Sequence, residues 1–111
     1  MKIIINTQDP EGLKERIVSD VENGNLPTWE LRTNVNGDKL LTHAGEQWVD
    51  KVLLRMTSNI ENQQLIVETR HWSNVQKPSE EESGTVLGRF SERLFVQYAS
   101  LIEDFVGVVT R

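Results

Sequence analysis

Between residues 28 and 72 the chain alternates apolar and charged side chains with a period of two. That pattern fits a sheet packed on one face and open on the other. Trp29, Leu31, Thr33 and Val35 point one way, and Glu30, Arg32 and Asn34 the other. Asn36-Gly37-Asp38 is a hairpin signal, because Asn and Gly tolerate positive φ, and residues 39–42 form the returning strand. His43-Ala44-Gly45-Glu46 then interrupts the alternation. Residues 48–56 read as the next strand, with Trp48, Val52, Leu54 and Met56 on one face and Asp50 as an exception. Polar residues 58–62 make a turn, after which Leu65, Val67, Thr69 and His71 form an inner face. A turn centred on Glu61 and Asn62 sets Arg55 opposite Glu68. Such a pair contributes roughly 0.2–1 kcal/mol, whereas a slip of two residues brings Lys51 against Arg70.

Each end supplies an amphipathic helix that can cover the apolar face. Ile3, Ile4 and Ile5 form a short β-branched strand, and Asp9-Pro10-Glu11 then starts a helix. Asp9 caps an unpaired N–H, and Pro10 needs no donor in the first turn. Leu13, Ile17 and Val21 repeat every four residues, and Asn23-Gly24-Asn25 stops the helix, which spans about residues 10–23. Residues 73–84 offer little to bury and read as a mobile polar loop. Ser79 and Glu82 have the spacing of a capping box, but Gly84 argues against a helix starting there. The strongest helical period lies over about residues 85–105, through Leu87, Phe90, Leu94, Tyr98, Leu101 or Ile102, and Phe105. Val86 and Phe95 widen that stripe.

The pattern therefore predicts a two-layer α+β fold in β-α-β-β-β-β-α order. An antiparallel sheet of four to five strands carries both helices on one face. At 111 residues the chain makes one globular domain, residues 1–111. Twelve basic against seventeen acidic residues give a net charge of −5, which disfavours nucleic acid and anionic membranes as partners. The absence of cysteine excludes disulfides and thiolate metal sites. The first residues are too short an apolar run for a signal peptide, and no run reaches the ~20 residues of a membrane span. These features suit a soluble, cytoplasmic protein.

The open face of the sheet is the candidate functional surface. It carries Glu30, Arg32, Lys51, Leu53, Arg55, Ile66, Glu68, Arg70 and Trp72. Three arginines from three strands can grip a carboxylate or phosphate, although Glu30 and Glu68 interleave with them. The plainer reading is a solvated ladder of ion pairs that contributes little stability. Leu53, Ile66 and Trp72 add apolar area, and Trp with Arg is the mixture found at interface hot spots. The interface candidates are thus Arg32, Leu53, Arg55, Ile66, Glu68, Arg70 and Trp72. The competing structural reading folds the C-terminal segment over this face through Val108 and Val109.

His43, Glu46 and Trp48 form a second candidate, a ligand pocket at a sheet edge close to the arginines. The H-x-x-E spacing falls short of the three or four convergent ligands a metal needs, so His43 reads more simply as a loop histidine with one local hydrogen bond. His71, on the inner face, reads as an interior histidine bonded to a backbone carbonyl. Glu80-Glu81-Glu82 is a solvated acidic run. No nucleophile elbow, phosphate loop or dinucleotide fingerprint is present, so no catalytic residue, metal or cofactor is assigned.

Thr28-Trp29-Glu30, Leu41-Thr42-His43, Glu46-Gln47-Trp48 and Leu54-Arg55 together resemble a pattern in small bacterial proteins of unknown function. The resemblance covers less than half of the chain. It implies a bacterial origin and a compact stand-alone domain, and carries no functional residues across. The expectation is a small interaction protein of the accessory, immunity or inhibitor kind. It would present its outer sheet face to a protein partner or to a second copy as a homodimer. The alternative is a small-molecule-binding domain or minor enzyme using the pocket near His43, Trp48 and the sheet arginines.

Overall fold

The computed structural model describes residues 1–109, with residues 105–109 described through their backbone. The chain runs β1 (Lys2–Asn6), α1 (Pro10–Glu22), β2 (Trp29–Thr33), β3 (Lys39–His43), β4 (Leu53–Asn59), β5 (Gln64–Arg70), α2 (Glu80–Gln97) and β6 (Asp104–Val109). A single 3-10 turn, Ala99–Leu101, lies between the last two. The strands form one antiparallel sheet in the order β2-β3-β4-β5-β1-β6. This is a two-layer α+β fold. One strand more than expected comes from residues 104–109.

α1 begins where Asp9 accepts a hydrogen bond from Gly12 N at 3.0 Å, with Pro10 in the first turn. It ends at Gly24, whose φ of 78° lies in the left-handed region that glycine adopts without steric cost. Because β2 lies at the far edge from β1, α1 carries the chain across the inner face. There Leu13, Ile17 and Val21 join Ile3, Ile5, Leu41, Leu54, Leu65 and Val67 in one core. Val86, Leu87, Phe90 and Leu94 of α2 complete that core, so both helices lie on the same face.

α2 starts at Glu80, inside the segment expected to be a loop. The capping box forms in full: Glu82 N donates to Ser79 Oγ at 3.1 Å, and Ser79 N donates to Glu82 Oε1 at 3.1 Å. Lys51 Nζ lies 2.7 Å from Glu82 Oε2 and anchors that first turn. Together these offset the cost of about 1 kcal/mol that Gly84 imposes inside a helix. The helix also ends earlier than its period suggested. Tyr98 is 2 % exposed and caps it, whereas Phe95, expected in the buried stripe, is 58 % exposed. Residue 105 belongs to β6 and not to the helix.

The β4–β5 register is the one that charge complementarity favours, with Arg55 opposite Glu68 and the turn running through residues 60–63. β4, however, begins only at Leu53, because residues 46–52 form successive turns. Asp50 in those turns has φ 58°, a conformation that Asp tolerates better than most residues. Among the described residues no helix is long and apolar enough to cross a membrane.

Candidate functional site

Strand registers place the outer face residue by residue. One row across the sheet reads Arg32, Leu40, Arg55, Glu68 and Lys2; the next reads Glu30, Thr42, Leu53 and Arg70. A third sets Thr57, Ile66 and Ile4 side by side, and Ile4 and Ile66 are both half-buried. Neither helix packs here. The C-terminal strand does not fold across this face either: β6 pairs along the edge of β1, with Lys2 opposite Val109.

The three arginines share the face but do not converge on a common point. Arg32 Nε lies 2.9 Å from Asp50 Oδ1, and its Nη2 is 3.0 Å from Glu30 Oε1. Arg70 lies 3.1 Å from Glu68, and Arg55 3.6 Å from Asp38. Glu68, although opposite Arg55, thus takes its closest ion pair from its own strand. Each guanidinium has its own carboxylate, which favours the ladder over a shared anion grip.

Part of the outer face is roofed. Leu53, expected as an exposed interface residue, is 1 % exposed, and Leu40 and Thr42 beside it are also buried. The roof is built from the two turns that flank the sheet. Trp72 follows β5, and its Nε1 donates to Asp50 Oδ1 at 3.2 Å. Asp50 is held in turn by Arg32 and by its own N–H, which donates to Thr42 Oγ1 at 2.9 Å. The hydrogen bond from Arg32, followed by that from Trp72, holds the Asp50 carboxyl below the usual carboxylate range. The same contact raises the Arg32 pKa further above its ordinary value.

Asp50 was the residue that broke the inward pattern of residues 48–56, and that misfit was its signal. Lys51, expected on this face, instead reaches the start of α2. His71, expected in the interior, is exposed beyond the end of β5 and donates from Nδ1 to the Trp72 carbonyl at 3.0 Å. Beside the roof an open groove of about 260 Å³ remains, floored by Leu40 and Leu53, flanked by Val35 and Trp72, and edged by Arg55 and Arg70.

His43, Glu46 and Trp48 occupy the other side of the sheet. His43 ends β3 opposite Trp29 and points inward, so the alternation of the strand separates it from Arg32, Arg55 and Arg70. Its ring meets Trp29 edge-on at 5.1 Å and Trp48 at 5.3 Å, and its Nδ1 accepts from Gly45 N at 2.9 Å. Arg89 stands 5.9 Å from the Trp48 ring centroid. Burial, and then the nearby Arg89 charge, lower the His43 pKa. Glu46 is exposed. This corner is an aromatic seam closing α2 onto β2 and β3, with Trp29 also edge-on to Phe90 at 5.3 Å. Among the described residues no group of three His, Cys, Asp or Glu is placed to hold a metal.

No family model, no curated protein and no solved structure matches the chain.

Proposed function

We propose that this chain is a protein-interaction domain of regulatory or accessory type that presents its outer sheet face to a protein partner. The observation that carries the reading is the strip of that face that, among the described residues, no helix or strand covers. Ile4 and Ile66 lie there beside the exposed Arg70 and the half-buried Arg55 and Glu68, with neither helix nor β6 across them. Apolar area rimmed by paired charges suits a partner surface better than a reaction cleft, which needs groups that converge on one point. The small-molecule alternative finds less support, because the arginines lie across the sheet from His43 and Trp48.

The test compares wild type with Ile66→Glu and Arg70→Ala, both on the strip and away from the core. Native mass by light scattering over a range of concentrations separates self-association from a heterologous partner. Affinity capture from bacterial lysate then recovers the complex. Loss of the complex in both variants, with unchanged unfolding midpoints, supports the reading. Equal recovery by all three proteins removes this face from consideration.

A further inference from the structure

The groove beside Trp72 has a composition that narrows the partner. Its floor is apolar, from Leu40 and Leu53, and its flanks add Val35 and the Trp72 indole. Val35, at the hairpin tip, is 102 % exposed, so its contact area is entirely unused. The carboxylates that touch the two edging arginines, Asp38 and Glu68, stand outside the groove, and no acidic residue lines it. On a chain of net charge −5 the groove is thus lined by two arginines and no acidic side chains, although each arginine is paired outside it. A guanidinium has five N–H donors, so Arg55, 3.6 Å from Asp38, and Arg70, 3.1 Å from Glu68, both keep donors for a further carboxylate.

At about 260 Å³ the groove is small beside the ~300–1,000 Å³ of sites for drug-sized ligands, and it has room for one apolar side chain. It is partly open to solvent and suits one apolar side chain delivered by a larger molecule. The shape is also preorganised, since Leu40 and Leu53 sit in paired strands and Trp72 is tied to Asp50. We infer that the groove receives an apolar anchor side chain of a partner protein, flanked in the partner's sequence by carboxylates that bond to Arg55 and Arg70. This inference rests on the interaction reading above.

The experiment titrates the full ¹⁵N-labelled chain with three blocked peptides: acetyl-Asp-Phe-Asp-amide, acetyl-Lys-Phe-Lys-amide and acetyl-Asp-Ala-Asp-amide. The first is expected to shift the Leu40, Leu53 and Trp72 indole resonances, with an affinity in the millimolar range that falls as salt is raised. Each of the other two is expected to bind at least about tenfold more weakly. The double variant Arg55→Gln/Arg70→Gln should lose about tenfold for the first peptide while keeping its thermal midpoint.

Equal binding of the lysine-flanked peptide, shifts outside the groove, or no binding at about 10 mM overturns the inference. Sodium phenylacetate binding as tightly as the first peptide overturns it in favour of a small molecule. Groove resonances that move on dilution without peptide overturn it in favour of a second copy. If all peptides fail while Ile66→Glu still abolishes the captured complex, the interaction reading stands and the groove inference alone falls.

Discussion

Asp50 and Trp72, 22 residues apart in sequence, are joined by a 3.2 Å hydrogen bond from the indole Nε1 to Oδ1 that holds a roof over Leu53. Asp50 does this from a backbone φ of 58°, with Arg32 Nε 2.9 Å from the same oxygen. Asparagine tolerates that backbone and keeps an acceptor, whereas alanine keeps the strain and loses both partners. Asp50→Ala should therefore cost about 1–2 kcal/mol, discounted from a fully buried charged hydrogen bond because the side chain is 44 % exposed. Asp50→Asn should cost less. Urea unfolding followed by tryptophan fluorescence distinguishes them, and equal losses would refute the strain argument.

The same carboxylate carries an acid signature. Its pKa is depressed in the folded protein by Arg32 and Trp72, so its stabilisation is present above the unfolded value of about 3.9. That contribution disappears as pH falls through the folded pKa. Between pH 5 and 2 the wild type should thus lose more stability than Asp50→Asn. Parallel curves for the two proteins would show that the ion pair adds nothing in solution.

The roof marks the limit of what the sequence made legible. Alternation gave the strand faces of β2 and β5 and, through Arg55 and Glu68, the β4–β5 register, because those depend on neighbours in sequence. It failed at residues 48–52, where apolar residues imitate a strand but a positive φ at Asp50 turns the chain. It failed again at the C-terminus, where Phe105 happened to continue the helical spacing while its segment pairs with β1, a contact across the whole chain. The start of α2 was visible as Ser79 and Glu82; what was not visible is that the ion pair from Lys51, distant in sequence, and the burial of Ser83 and Val86 join the capping box in offsetting Gly84. The outer groove was legible only in part: alternation set Leu53, Arg55, Arg70 and Trp72 on one face, but neither the roof over Leu53 nor the approach of Val35 and Leu40 follows from that pattern, because those contacts join separate turns and strands.

That balance at the start of α2 is itself measurable. Ser79→Ala removes the acceptor for Glu82 N and should destabilise the protein by about 1 kcal/mol. Ser79→Asp restores an acceptor at a site that favours negative charge and should recover most of the loss. Chemical unfolding of the three proteins checks the order. A neutral alanine variant would mean that the turn is held by other contacts.

His43 should make the fold sensitive to mild acid. Burial and Arg89 depress its folded pKa below the unfolded value of about 6.5, so the unfolded chain takes up the proton more readily. Stability is complete above that value and declines as pH falls towards the folded pKa. Protonation would also remove the acceptor that Nδ1 offers to Gly45 N. An NMR titration should place the His43 midpoint below about 6.5, and His43→Gln should flatten the stability curve between pH 7.5 and 5.5. A midpoint above that range would contradict the burial of the ring between Trp29 and Trp48.

The last contact joins the two helices. Tyr98 is the single tyrosine of the chain, and its hydroxyl donates to Asp20 Oδ2 at 2.6 Å, tying the end of α2 to α1. Burial, then the hydrogen bond to Asp20, raises the phenol pKa far above its ordinary value. A folded pKa above the unfolded value of about 10 gives stability that is complete below pH 10 and is lost as pH rises towards the folded value. Alkaline titration at 295 nm should therefore show no phenolate near pH 11 in the folded protein, and its sudden appearance on unfolding. Tyr98→Phe keeps the packing but leaves Asp20 without its strongest donor, at a cost of about 1–2 kcal/mol. Ordinary ionisation near pH 10 with the protein still folded would show that the helices are not closed at this point.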